Sequence, residues 1–157
     1  MMKTMKRIPL AFCLLATLAV TAAAQSPMMN SSQAASEKSL YQRVGGYDAI
    51  AAVVDDFVGR LVGDKQFARF FDGHSTDSLK RIRQHIVDQF CAGAGGPCIY
   101  IGRDMKTSHQ GLGITEAQWE AAAKHLIATL DKFKVPAKEK DELLGFVTGL
   151  KKDIVEK

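Results

Sequence analysis

Few residues in this 157-residue chain could do metal or nucleophilic chemistry: four histidines, at 74, 85, 109 and 125, and three cysteines, at 13, 91 and 98. His109 lies in Met105-Lys-Thr-Ser-His-Gln-Gly-Leu-Gly-Ile-Thr115, just ahead of two glycines that let backbone approach closely. His85 stands between Ile82 and Ile86 on a helical stripe, so its ring can lean toward whatever that apolar face covers. His74, in a polar loop beside Gly73 and Ser75, reads as solvated, and His125, on the polar side of a later helix, as structural or exposed. Catalytic zinc would prefer a third histidine or a carboxylate at short spacing, as in HExxH, and the chain has no such set. Two imidazoles from separate segments, meeting inside an apolar helical sandwich, suit an iron porphyrin better. The competing reading of the same pattern is a plain helical core domain without a cofactor.

Those histidines need helices to position them, and from Ser39 onward the apolar period is helical with no convincing strand alternation. Ser39 to Val44 forms one short helix, ended by Gly45-Gly46. Asp48 reads as the cap of a second, whose apolar positions Ile50, Val53, Val54, Phe57, Val58, Leu61 and Val62 must be buried. Asp64 to Gly73 is a tight aromatic-bearing connection, and Ser75-Thr-Asp77 opens a third helix with Leu79, Ile82, Ile86 and Phe90 on one stripe. That helix stops at Gly93-Ala-Gly-Gly-Pro97. A loop with Tyr100 and Gly102 leads to a short turn from Met105 to His109. Thr115 and Gln118 then form a capping box for a long helix with Trp119, Ala122, Ala123, Leu126, Ile127, Leu130 and Phe133 on its apolar face. Val135-Pro136 ends it, and a last helix opens from Lys138 and carries Leu143, Leu144, Phe146, Val147, Leu150 and Ile154. The expectation is an all-α domain of four main helices plus short ones.

Residues 1–24 differ from the rest: Lys3, Lys6 and Arg7 precede an apolar run from Ile8 to Val20, and Ala22-Ala-Ala24 follows. This is the pattern of a secretory signal peptide cleaved after Ala24, which places the mature protein in the periplasm or outside the cell. Cys13 raises a lipoprotein alternative, but the bulky Phe12 before it stands where such signals carry a small residue. The run is short for a membrane span, and no second one follows. Residues 25–38 read as a flexible linker, and 39–157 fit one compact domain.

Three of the 21 Lys and Arg residues, and none of the 17 Asp and Glu residues, precede Gln25, which leaves 18 cations against 17 anions. The basic balance therefore belongs to the leader, and nucleic-acid binding loses its main support. Export also bears on Cys91 and Cys98, seven positions apart around a glycine-proline turn. An oxidising compartment favours a bridge between them; the alternative is two small buried thiols.

The ordered set Leu40-Tyr-Gln-Arg-Val-Gly-Gly46, Val53-Val-Asp-Asp-Phe57, Phe70-Phe71, Gly95-Gly-Pro97 and Met105-Lys-Thr-Ser-His109, followed by Gly111, Gly113, Ile114 and Thr115, resembles the group I truncated haemoglobins over Ser39 to Val155. The resemblance implies a two-over-two helical sandwich around haem b, iron protoporphyrin IX. It makes His109 the proximal iron ligand and places His85 where some members supply a sixth ligand. It puts Phe71 against the porphyrin, Ile82 and Ile86 in the distal pocket, Phe57 and Val58 on the pocket face of the second helix, and Met105 on the proximal side.

The departures bear on function. Many oxygen-binding members carry a tyrosine where this chain has Val58, and glutamines where it has Ile82 and Ile86. His85 is left as the evident distal donor, either ligating iron or hydrogen-bonding a bound gas. Leu150-Lys-Lys-Asp-Ile154 lacks the histidine through which some members attach haem covalently. The resemblance thus implies reversible binding of dioxygen, nitric oxide or carbon monoxide. Its alternatives are a nitric oxide dioxygenase or peroxidase, or an electron carrier with bis-histidine iron and an unknown redox partner. The missing tyrosine weakens the enzymatic reading, because catalysis needs a group that stabilises charge on the bound oxygens.

Overall fold

The computed structural model describes residues 37–157; the expected signal peptide lies outside the described residues, as does the linker apart from Glu37 and Lys38. Eight helices and no strand occur among the described residues: α1 (Leu40–Arg43), α2 (Gly46–Gly63), α3 (Ala68–Phe71), α4 (Thr76–Gly93), α5 (Met105–His109), α6 (Glu116–Lys132), α7 (Ala137–Gly149) and α8 (Lys151–Ile154). None of them is long and apolar enough to cross a membrane.

The long helices form two pairs. α2 packs on α4, α6 packs on α7, and α2 also crosses α6, so the pairs stack into a two-over-two sandwich. Ile50 and Val54 from α2, Val87 and Cys91 from α4, and Leu126 and Leu130 from α6 make the core. Burial of each such aliphatic side chain is worth about 1.5–3 kcal/mol. The far end of α4 reaches α7 through an aromatic contact, Phe90 edge-on to Phe146 at 6.0 Å. That approach needs Gly93, because a Cβ there would lie 2.4 Å from the Phe146 ring.

The caps explain where helices begin. Ser75 accepts from the Ser78 N–H at 3.2 Å, and Thr115 accepts from the Gln118 N–H at 3.2 Å while the Gln118 carboxamide returns to the Thr115 N–H at 3.1 Å. Each such cap is worth about 1 kcal/mol. Asp48 is not the cap of α2, which already begins at Gly46 behind a left-handed Gly45; Asp48 lies in the first turn, where a negative side chain suits the helix dipole. The aromatic connection contains the short helix α3, and the last helix starts at Ala137 directly after Pro136, then breaks at Leu150 into α7 and α8.

Three expected core residues are surface residues: Val62, Ile127 and Phe133 are 42%, 38% and 41% exposed. A stripe of seven apolar residues wraps further round a helix than one packing face can cover, and the end positions face water. Conversely Thr129 is fully buried, its hydroxyl donating to Asp56 at 2.9 Å. Asp56 also accepts from Lys132 and, at 2.7 Å, from Arg60. Cys91 and Cys98 are joined in a disulfide with their Cα atoms 5.7 Å apart, which ties the loop after α4 to the end of that helix.

Candidate functional site

The sandwich leaves a largely apolar cavity of about 650 Å³, and every residue expected to form a site borders it. Phe57 and Val58 come from α2, Phe71 from α3, Ile82, His85 and Ile86 from α4, and Met105 and His109 from α5. Ligand-binding clefts run from about 300 to 1,000 Å³. Positions 82, 85, 86 and 89 fall on one side of α4 by the helical repeat, so the stripe that buries Val87 and Phe90 elsewhere turns its flank to the cavity.

The two cavity imidazoles differ in their hydrogen bonds. Nδ1 of His109 lies 2.8 Å from the Met105 carbonyl oxygen. A carbonyl only accepts, so Nδ1 carries the proton and Nε2 keeps its lone pair, the arrangement of an imidazole ready to ligate a metal. Asp104 caps the short helix that carries it, accepting from the N–H and the hydroxyl of Thr107, both at 2.8 Å. Those bonds hold the Asp104 carboxyl below its ordinary value, the backbone N–H contributing most. Nδ1 of His85, in contrast, is buried without a partner, and the ring lies T-shaped to Tyr100 at 6.1 Å.

An unpartnered buried nitrogen costs about 1–3 kcal/mol, so the His85 ring stands on the cavity wall with no hydrogen bond from its Nδ1 to anchor it. Two imidazoles, apolar and aromatic walls, and Arg103 at the exposed rim fit an amphiphilic metal macrocycle with acidic side chains. No cluster of three or more histidine, cysteine or acidic side chains that could hold a bare metal ion occurs among the described residues.

Several cavity residues were not expected at the site from the sequence. Gln89 lies one turn beyond His85, a spacing that could have found it, and brings a carboxamide to the same cavity. Tyr100 and Arg103 sit on the irregular loop after Cys98, where no period exists to place a side chain; the Tyr100 hydroxyl donates to the Arg103 carbonyl at 2.6 Å. Trp119, expected only as core, also faces the cavity. His74 is exposed, as expected, but stands on the cavity rim. His125 is off the cavity wall, paired with Asp64 at 2.8 Å and edge-on to Phe67 at 6.0 Å.

Residues 39–156 match the family described as bacterial-like globin. The chain is 37% identical over 116 residues to a group 1 truncated haemoglobin from Mycolicibacterium paratuberculosis, covering 74% of this chain and 83% of that protein. Among solved structures it resembles the truncated haemoglobin of Tetrahymena pyriformis in its Fe(III) form, with 26% identity and a TM-score of 0.69 over 76% of this chain and all of that one. It also resembles the 2/2 haemoglobin of a Synechococcus species with covalently attached haem, with 28% identity and a TM-score of 0.69 over 76% of this chain and all of that one. The chain belongs to the bacterial-like globins and is a truncated globin, of a family that binds haem and gases.

Proposed function

We propose that this protein holds haem b with Nε2 of His109 as the fixed iron ligand and His85 as the ligand on the opposite face, and that it binds a diatomic gas when His85 yields. The observation that carries the reading is the contrast between the two imidazoles on one cavity: His109 has its Nδ1 proton committed to Met105, whereas His85 has a buried nitrogen with no partner. When bound, haem would supply an iron centre, and His109 and His85 are the residues that would hold it. His109 would offer its Nε2 lone pair, the apolar Phe71 and Met105 would exclude water from the bound group, and Arg103 at the rim could pair with an acidic side chain of it. On the far side Ile82, Ile86 and Val58 present no hydrogen-bond donor, whereas His85 and Gln89 border the same cavity and carry N–H groups that could reach an incoming dioxygen, nitric oxide or carbon monoxide.

Ferrous spectra of the haem-loaded protein with and without carbon monoxide test this reading. A six-coordinate low-spin form converted by carbon monoxide is expected, and haem binding that fails in His109→Ala. A His109→Ala protein with an unchanged spectrum overturns it. We further propose export to the periplasm or beyond, supported by the basic and apolar pattern of residues 1–24 and by the Cys91–Cys98 bond, which an oxidising compartment sustains. Cell fractionation decides that point.

A further inference from the structure

The turn that follows His109 is closed by a carboxylate from far along the chain. Gly111 and Gly113 have φ of +83° and +61°, values that glycine adopts without strain, and their N–H groups converge on Glu156. The Gly111 N–H donates to Oε1 at 2.7 Å and the Gly113 N–H to Oε2 at 2.5 Å, so one carboxylate spans both donors. Successive main-chain N–H groups arranged this way form an anion-binding concavity, and bonds to an ionised acceptor are about twice as strong as neutral ones. The two N–H groups hold the Glu156 carboxyl below its ordinary value.

Glu156 is itself fixed. Its N–H and that of Lys157 donate to the Ile114 carbonyl at 2.9 and 3.2 Å, and the Lys157 carbonyl accepts from the N–H of Glu116, the first residue of α6, at 2.9 Å. From the other side Arg69 donates to the Gly113 carbonyl at 3.2 Å. The preceding helix α8 packs on α5 and sends Ile154 to the cavity wall. α5 has only five residues and cannot hold its own shape, so the groups at its two ends set where His109 points. Asp104 holds the first end.

We propose that Glu156 is a positioning residue for the His109 imidazole, gripping the 111–113 turn through two backbone N–H groups and so fixing the ring from its chain-forward side. The proposal rests on the assignment of His109 as iron ligand. Its test is the iron–histidine stretching band of the haem-loaded ferrous protein, recorded by resonance Raman after photolysis of carbon monoxide, together with the rate of haem transfer to an excess of haem-free acceptor globin. Glu156→Ala is expected to shift and broaden the band and to speed haem loss about tenfold. Glu156→Gln, which keeps one amide oxygen as acceptor, is expected to move both in the same direction by less. Lys140→Ala removes a surface pair with Asp131 away from the cavity and is expected to leave the band in place whatever it does to stability. A band unmoved in both Glu156 variants, with haem loss within about twofold of the unaltered protein, overturns the proposal. Absence of the band in the unaltered protein overturns the His109 assignment first, and the proposal with it.

Discussion

Replacing His85 with leucine should raise stability without haem and change the iron coordination with it. In the haem-free protein Nδ1 of His85 is buried and unpartnered, a condition that costs about 1–3 kcal/mol. Leucine removes that cost and adds apolar surface to a wall already formed by Ile82 and Ile86. Against this stands the lost edge contact with Tyr100, worth about 0.5–1.5 kcal/mol. The net is a gain of about 1 kcal/mol, against a total stability of about 5–15 kcal/mol for a domain. With a urea slope of about 1–3 kcal/mol/M, the midpoint should rise by about 0.3–1 M. In the haem-loaded protein the same change removes one of the two proposed axial ligands, so the ferrous spectrum should become five-coordinate. A leucine variant that is less stable without haem and spectrally unchanged with it would refute both halves of the argument.

Reduction of Cys91–Cys98 opens a short loop whose closure entropy is worth about 2.5 kcal/mol; the urea midpoint should fall accordingly in reductant, and an unchanged midpoint would show that the bridge carries no stability. Gly93→Ala places a methyl 2.4 Å from the Phe146 ring and should cost about 1–3 kcal/mol by overpacking, recovered in large part by a second change of Phe146 to leucine. The carboxyls of Asp55, Asp56, Glu139 and Glu156 lie below their ordinary values, Asp56 chiefly through Lys132 and then Arg60, Asp55 through Arg83. Because their folded values are lowered, the stability they contribute is complete above the unfolded values and lost as pH falls through the folded ones. Urea midpoints should be flat above about pH 5 and drop below about pH 4, less steeply in Asp56→Asn.

The sequence made the four long helices legible because each has a sustained apolar repeat, and two of them, α4 and α6, also have a start signal in Ser75 and Thr115, both of which are local physics. The cavity was legible through resemblance: the periodicity of α4 marks Ile82, His85 and Ile86 as neighbours, but nothing local says that the space beside them stays open. What escaped depends on distant groups. Thr129 is buried because Asp56 on another helix accepts a hydrogen bond from its hydroxyl, and Val62 is exposed because it lies at the end of an apolar stripe wider than one packing face covers. Tyr100 and Arg103 reach the cavity from a loop whose path the Cys91–Cys98 bond constrains. Glu156 looks like any charged residue until the Gly111 and Gly113 N–H groups are seen to meet it.

Gln89 borders the cavity beside His85, which makes it the residue to vary next. On the proposed reading, an incoming gas frees the ring nitrogen that held iron, and if that nitrogen finds no new partner the penalty is about 1–3 kcal/mol, or about 5- to 150-fold in gas affinity. Gln89 lies one turn further along α4 on the same cavity, and its carboxamide can serve either the displaced ring or the gas, but not both through the same N–H. Carbon monoxide gains little from a donor, whereas dioxygen gains more as charge develops on it. If the amide receives His85, then Gln89→Leu lowers affinity for both gases by the worth of one hydrogen bond, about two- to tenfold. If it serves the gas, the same variant speeds dioxygen dissociation and leaves carbon monoxide binding unchanged. Identical constants for both gases in the variant would mean that the amide takes no part, and that the distal side is governed by His85 alone.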